Sequence, residues 1–415
     1  MHDFMSYCLR QYFKTTGWND DNQYSNLCSA SRAILDFITP RGFTFEISKI
    51  QSPMFNSSYS MNASPTLNGS ISYLFTSRPL VIEPSFRLNF VEMIDRFHLD
   101  PFARANRVDN TKGDIKNEEI KPINDYLLYG RLFIPTGRLE AIYTKRFSPW
   151  MQCVITGVSE PRMKEASHCT GELQYDAGKW CTEASYSTDG ELFGLKGLYN
   201  LSNYSPEGNT EHVDAFTNKK DGTTNGIKKS VVEKNTFDES SNSDDDDMVE
   251  ALKGEWSIGA ELYYGIRDKN GGVSAGIRYR TVPQFSAQSP LTVTYIFNPF
   301  MGHMSAAFAA QVSEDLALCP RYEFNIYSYE SDLTIGAEWW QREDIDDVDI
   351  ASHESPNLKG DIQGVVKATV STEKGITLLW EGRYGRTLFG LGLVANLKSG
   401  FSPIRSVGLQ FQYFS

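Results

Sequence analysis

The chain has 415 residues and a formal net charge of −12, with Lys+Arg 40 against Asp+Glu 52, a balance that repels phosphate backbones and sets nucleic-acid binding aside. Charged residues are 22 % and hydrophobic ones 40 %, so the bulk of the chain is not of disordered composition. Mean hydropathy is −0.39, and no stretch approaches the roughly 20 apolar residues of a membrane helix; this excludes helical membrane proteins but not barrels, whose strands alternate lipid-facing and lumen-facing side chains.

Along the chain, Met5, Leu9 and Phe13 recur at four-residue spacing, as do Phe4, Cys8 and Tyr12, which predicts a short amphipathic helix. A second helical run covers 29–37, with Ala30, Ala33, Ile34 and Phe37 on one face, and Pro40-Arg41-Gly42 breaks it. Residues 1–41 are thus an N-terminal helical segment. From Gly42 the period changes to two: Phe43, Phe45 and Ile47 alternate with Thr44, Glu46 and Ser48. The alternation predicts strands over 69–77, 139–147, 150–158, 172–177, 180–187 and 192–201. After residue 250 it predicts 256–265, 273–281, 291–297, 303–312, 321–329, 333–341, 362–371, 376–384, 387–397 and 405–414. Runs of about 10 residues joined by short turns suit strands tilted through a bilayer, and so many of them favour closure into a barrel over 42–415. Aromatics at 13 % are the girdle-forming residues of such barrels.

Two acidic stretches break the rhythm. Residues 203–253, holding Ser243-Asp244-Asp245-Asp246-Asp247, cannot bury enough apolar area to fold alone and read as a disordered loop insertion. Residues 343–359, with Asp344, Asp346, Asp347 and Asp349, lack the glycine and final glutamate of a calcium loop and read as a second solvated loop. Residues 106–122 read as a third.

Chemistry-bearing motifs are absent. There is no Gly-x-Ser-x-Gly elbow, no His-Glu-x-x-His and no phosphate-binding loop, and the six histidines lie far apart. Cys169 and Cys181 beside His168 are spaced more widely than zinc ligands usually are, so they read as strand cysteines. No enzyme, metal or cofactor is expected. The N-terminus carries neither a basic n-region nor an Arg-rich transit pattern, as a barrel inserted without a cleavable signal would allow.

The C-terminal residues Ser406-Val407-Gly408-Leu409-Gln410-Phe411-Gln412-Tyr413 read polar-x-Gly-x-x-hydrophobic-x-hydrophobic. They resemble the mitochondrial β-signal, the final-strand address read by the sorting and assembly machinery, with Ser406, Gly408, Phe411 and Tyr413 as its key positions. Phe411 and Tyr413 share one strand face with Leu409, and an assembly factor can pair with such a strand and read it.

Several segments together resemble the fungal mitochondrial distribution and morphology protein 10 family: residues 18–27 (Trp-Asn-Asp-Asp-Asn-Gln-Tyr-Ser-Asn-Leu), Pro40-Arg41-Gly42, residues 69–75, Asn298-Pro299-Phe300-Met301-Gly302-His303 and, most specifically, residues 324–331. The resemblance implies an all-β transmembrane barrel of about 19 strands, related to the voltage-dependent anion channel, with the N-terminal helical segment in the lumen. It implies residence in the mitochondrial outer membrane at ER–mitochondria contact sites and two jobs. One is anchoring the ER–mitochondria encounter structure with its lipid-transfer and tether subunits. The other is serving in the sorting and assembly machinery, beside its barrel and receptor subunits, during TOM complex biogenesis. Tyr73 and Phe75 share a face of one early strand and Tyr295 and Phe297 a face of a later one; such pairs suit partner anchors or lipid-facing girdle positions. Phe75 departs from the Tyr common in the family, which puts any contact needing that hydroxyl in question. Two other readings stay open on sequence: a metabolite pore or protein-import channel on the same barrel, and a soluble all-β carbohydrate-active enzyme.

Overall fold

A computed structural model describes residues 1–64, 66–98, 124–162, 166–201, 254–281, 289–342, 362–373, 375–396 and 403–415. The three polar stretches 106–122, 203–253 and 343–359 lie outside the described residues. Two helices come first, α1 (Phe4–Thr16) and α2 (Ser29–Leu35), with single 3-10 turns at Asp20–Asn22 and Tyr24–Asn26 between them. Among the described residues nineteen strands follow. They are β1 (Gly42–Ser52), β2 (Phe55–Ser64), β3 (Asn68–Thr76), β4 (Tyr126–Ile134), β5 (Leu139–Ser148), β6 (Met151–Ser159), β7 (His168–Asp176), β8 (Trp180–Ser187) and β9 (Leu192–Leu201). The second half holds β10 (Gly254–Gly265), β11 (Asn270–Thr281), β12 (Leu291–Asn298), β13 (His303–Ser313), β14 (Leu316–Asn325), β15 (Ser331–Arg342), β16 (Ile362–Ser371), β17 (Gly375–Tyr384), β18 (Thr387–Ala395) and β19 (Ile404–Phe414).

Each strand pairs antiparallel with the next, and β1 pairs parallel with β19, from Gly42 opposite Gly408 to Ser48 opposite Phe414. The parallel seam follows from the count. An up-and-down sheet with an odd number of strands can close only by joining two that run the same way. Closure leaves no strand edge unpaired, the condition for crossing hydrocarbon. Among the described residues no helix is long and apolar enough to cross a membrane.

β15 shows how sequence sets the two faces. Leu333, Ile335 and Trp339 are exposed outward, while Asp332, Thr334, Gly336, Glu338 and Trp340 are buried inward. The same alternation puts Tyr59, Ile155, Leu195, Ile258, Phe308, Leu378 and Leu391 on the outer face, an apolar surface that only lipid or a partner can cover.

The core lies in the lumen. Asp3 caps α1 by accepting from the Ser6 N–H at 2.9 Å, and Gly17 ends it at φ +68°, a conformation glycine adopts without steric cost. The buried face carries Phe4, Cys8 and Tyr12, and Phe4 sets its ring 5.1 Å from that of Phe414 on the closing strand. Residues 80–97, after β3, also turn inward. Leu80, Leu88, Phe90, Met93 and Ile94 are buried with α1 on one side and Trp340, Val365 and Leu388 on the other, so the apolar cluster spans the lumen. α2 packs Ala30, Ile34 and Leu35 on Ala307, Ala309, Ala317 and Cys319, where small wall residues leave room for a helix.

Three sequence expectations are corrected. The strand expected over 321–329 occupies Leu316–Asn325. The Asn325 side chain accepts from the Tyr327 and Ser328 N–H groups at 2.9 and 3.2 Å, an Asn turn that ends the strand. β2 and β4 were not anticipated. β2 is Ser- and Asn-rich, so its alternation of Phe55, Tyr59, Met61 and Ala63 with polar residues lies in a stretch of low strand propensity. β4 carries apolar groups on both faces, because its inward Leu127 meets the inner cluster while Leu128 and Leu132 face out.

Candidate functional surfaces

The N-terminal segment is held to the wall by polar contacts as well as packing. Asn22 donates to Asp176 at 2.6 Å, Gln23 to Gln174 at 3.0 Å, and the Tyr24 N–H to Glu183 at 3.0 Å. Asp21 lies between Arg278 at 3.2 Å and Arg280 at 2.6 Å, and Glu255 in turn holds Arg280 at 2.9 Å. Burial pushes the Asp21 carboxyl up, but the two guanidiniums outweigh it and hold the group below the usual carboxylate range. Residues 18–27, singled out in the sequence, are therefore the stretch that docks on β7 to β11.

A second junction joins α2, the inner loop and the wall. Lys367 and Glu338, both buried, stand 3.4 Å apart on adjacent strands. Lys367 also donates to the Ala33 carbonyl at 2.6 Å and to the Asp95 carbonyl, and Glu338 accepts from the Phe97 N–H at 3.3 Å. Asp95 receives His2 Nε2 at 3.0 Å and the Arg10 guanidinium; these outweigh burial, which pushes its carboxyl up, and keep it well below the usual range. Nothing in the sequence marked Lys367, Glu338 or residues 80–97. Their signal is apolar spacing without a strand period, and charges at inward positions of otherwise apolar strands.

The outer face carries the aromatic pairs. Tyr73 and Phe75 are exposed on β3; Tyr73 stacks on Phe55 with centroids 5.9 Å apart, and Phe75 neighbours Tyr126 at 6.1 Å. Tyr295 is exposed on β12 and Phe297 half-buried. β3 and β12 sit nine strands apart in a ring of nineteen, so the pairs occupy opposite walls and form no single patch.

The later pair continues into a rim that brings two sequence motifs together. Tyr327 Oη donates to the Pro299 carbonyl at 2.9 Å, the Ile326 N–H to the Gly302 carbonyl at 2.8 Å, and Asn325 Nδ2 to the Met301 carbonyl at 3.3 Å. Gly302, at φ +64°, lies under the Tyr327 ring, where a Cβ would stand 2.7 Å from it. Phe300, Met301, Tyr327 and Tyr329 are left exposed, Tyr329 at 80 %. Sequence reading had placed these residues partly inside a strand and missed the rim.

At the seam, Leu409, Phe411 and Tyr413 point outward and Ser406, Gly408 and Gln412 inward. Phe411 lies beside Phe43 of β1, centroids 5.9 Å apart. Cys169 is exposed at one end of the β7–β8 hairpin and Cys181 buried at the other, where it pairs opposite Asp176. Among the described residues no group of three or more His, Cys, Asp and Glu side chains could hold a metal ion.

Comparison with known proteins matches residues 1–359 to the family described as Mitochondrial distribution and morphology protein 10. Relatives bearing that name include those of Postia placenta at 39 % identity, Coprinopsis cinerea at 37 % and Cryptococcus neoformans at 30 %, each aligned over 100 % of both chains. A nineteen-stranded barrel with its N-terminal segment in the lumen, matched over its full length by such relatives, belongs to the mitochondrial distribution and morphology protein 10 family.

Proposed function

We propose that this chain is a non-catalytic scaffold of the mitochondrial outer membrane. In this reading it anchors the lipid-transfer and tether subunits of the ER–mitochondria encounter structure and serves in the sorting and assembly machinery. Family membership carries the coarser part, a mitochondrial protein with a role in mitochondrial distribution and morphology. The observation that supports a scaffold over a channel is the segment packed inside the barrel. α1, α2 and residues 80–97 bury apolar side chains against the inner wall and take up part of the lumen, while the outer wall and rim carry the exposed aromatic residues. A lumen narrowed in this way favours the scaffold over the metabolite-pore and import-channel reading.

Tyr73 and Phe75 on one wall, and Tyr295 and Phe297 with the Phe300–Tyr329 rim on the other, are the proposed partner faces. Two walls allow two partners at once. Photo-crosslinkers at Tyr73 and at Tyr295 in intact mitochondria are expected to capture protein subunits, different ones from each wall. Capture of lipid alone from both positions would overturn the assignment of these faces.

A further inference from the structure

The N-terminal segment crosses the inner wall over glycines, in strand order. A Cβ on Gly259 would stand 2.5 Å from the Tyr24 ring, on Gly276 2.5 Å from Leu27, on Gly336 2.6 Å from Leu35 and on Gly392 2.8 Å from Pro40. At Gly259, Gly276 and Gly336 the nearest atoms are the ends of side chains that can turn aside, while at Gly392 the Pro40 ring is held to the backbone of the same corner. Gly408 is different. A Cβ there would run into the Pro40 carbonyl carbon and oxygen and stand 2.6 Å from the Arg41 nitrogen, all backbone atoms. Backbone at this point has little freedom. Pro40 fixes its own φ, and Gly42, at φ +68°, turns the chain from the lumen into β1, where it pairs opposite Gly408.

We propose that Gly408 is the seat of the Pro40–Arg41 corner, and that docking of residues 24–41 in the lumen and closure of the β1–β19 seam are a single step. The glycine of the β-signal-like stretch then acts within the folded chain, as a positioning residue for closure. The outward Phe411 and Tyr413 remain free for reading by another protein. The proposal rests on the reading of the chain as a membrane-inserted barrel.

The test uses the full chain imported into isolated mitochondria, with Thr44→Cys and Gln410→Cys as a seam reporter, since these two positions face each other across the seam. The disulfide between the two introduced thiols is quantified by its cross-linked peptide, which separates it from the native cysteines. Gly408→Ala should lower the disulfide yield roughly fivefold or more, as overpacking of a tight site does. Adding Pro40→Gly, which frees the corner, should restore at least about half of it. An unchanged yield in Gly408→Ala, or a loss that Pro40→Gly does not relieve, would overturn the proposal; the second result would assign Gly408 to recognition by the assembly machinery. Failure of the barrel reading itself would look different, because the unsubstituted chain would then be extracted by carbonate.

Discussion

At the scale of single residues, the Lys367–Glu338 pair is the point where wall, α2 and inner loop meet. Its worth lies in completeness. Lys367 has a carboxylate and two carbonyls, and Glu338 has an ammonium, the Phe97 N–H and the Trp340 indole N–H. Lys367→Met leaves a buried carboxylate without its cation and should cost about 3–5 kcal/mol. Lys367→Met with Glu338→Gln should recover part of that loss. Denaturant unfolding of the detergent-solubilised barrel measures both, and equal stability of the single and double variants would refute the pairing. Asp21 makes a pH-dependent contribution. Its folded pKa is depressed, so the stabilisation is present above the unfolded value of about 3.9 and is lost as pH falls through the lower folded value. Asp21→Asn should therefore lower the melting temperature more at pH 7 than at pH 3. An equal deficit at both pH values would mean that charge is not what holds the segment.

At the scale of elements, α1 works as a core helix. Phe4, Cys8 and Tyr12 meet Phe414 and the inner loop, and Phe4→Ala should cost about 3–5 kcal/mol, read by the same unfolding measurement. The helix was legible because its period stood out from the strands around it. The strands were legible wherever polar inward and apolar outward residues alternated, as in β15. They became illegible at β4, where α1 and the inner loop put an apolar core inside the barrel and removed the polar half of the pattern. β2 does carry Phe55, Tyr59, Met61 and Ala63 on its outer face against Asn56, Ser58, Ser60, Asn62 and Ser64 within, but Ser57 interrupts the apolar row and the strand propensity of so many serines and asparagines is low. The β14 boundary was misplaced because Tyr327 and Tyr329 continue the apolar rhythm into a turn, and only the Asn325 side chain marks the end. The aromatic pairs could be picked out by strand period, but not their placement on opposite walls, which depends on strand order around the ring.

On the scale of the whole molecule, a wall closed by a parallel seam surrounds a lumen partly occupied by the chain's own N-terminal segment and inner loop. The sequence period announced a barrel. The number nineteen came from family resemblance, since local patterns do not count strands. The segment packed inside the lumen predicts reduced conductance. In planar bilayers the intact chain should show little current, and Phe4→Ala with Tyr12→Ala, which loosens α1, should raise it; large steady currents from the intact chain would return the pore reading. If this barrel holds partners together, the tagged chain retrieved from mitochondria solubilised in digitonin should bring with it the sorting-machinery barrel and the lipid-transfer subunits of the ER contact site, with the first or second set lost on alanine replacement of one wall's aromatic pair. Recovery of the chain alone, or only with itself, would contradict it.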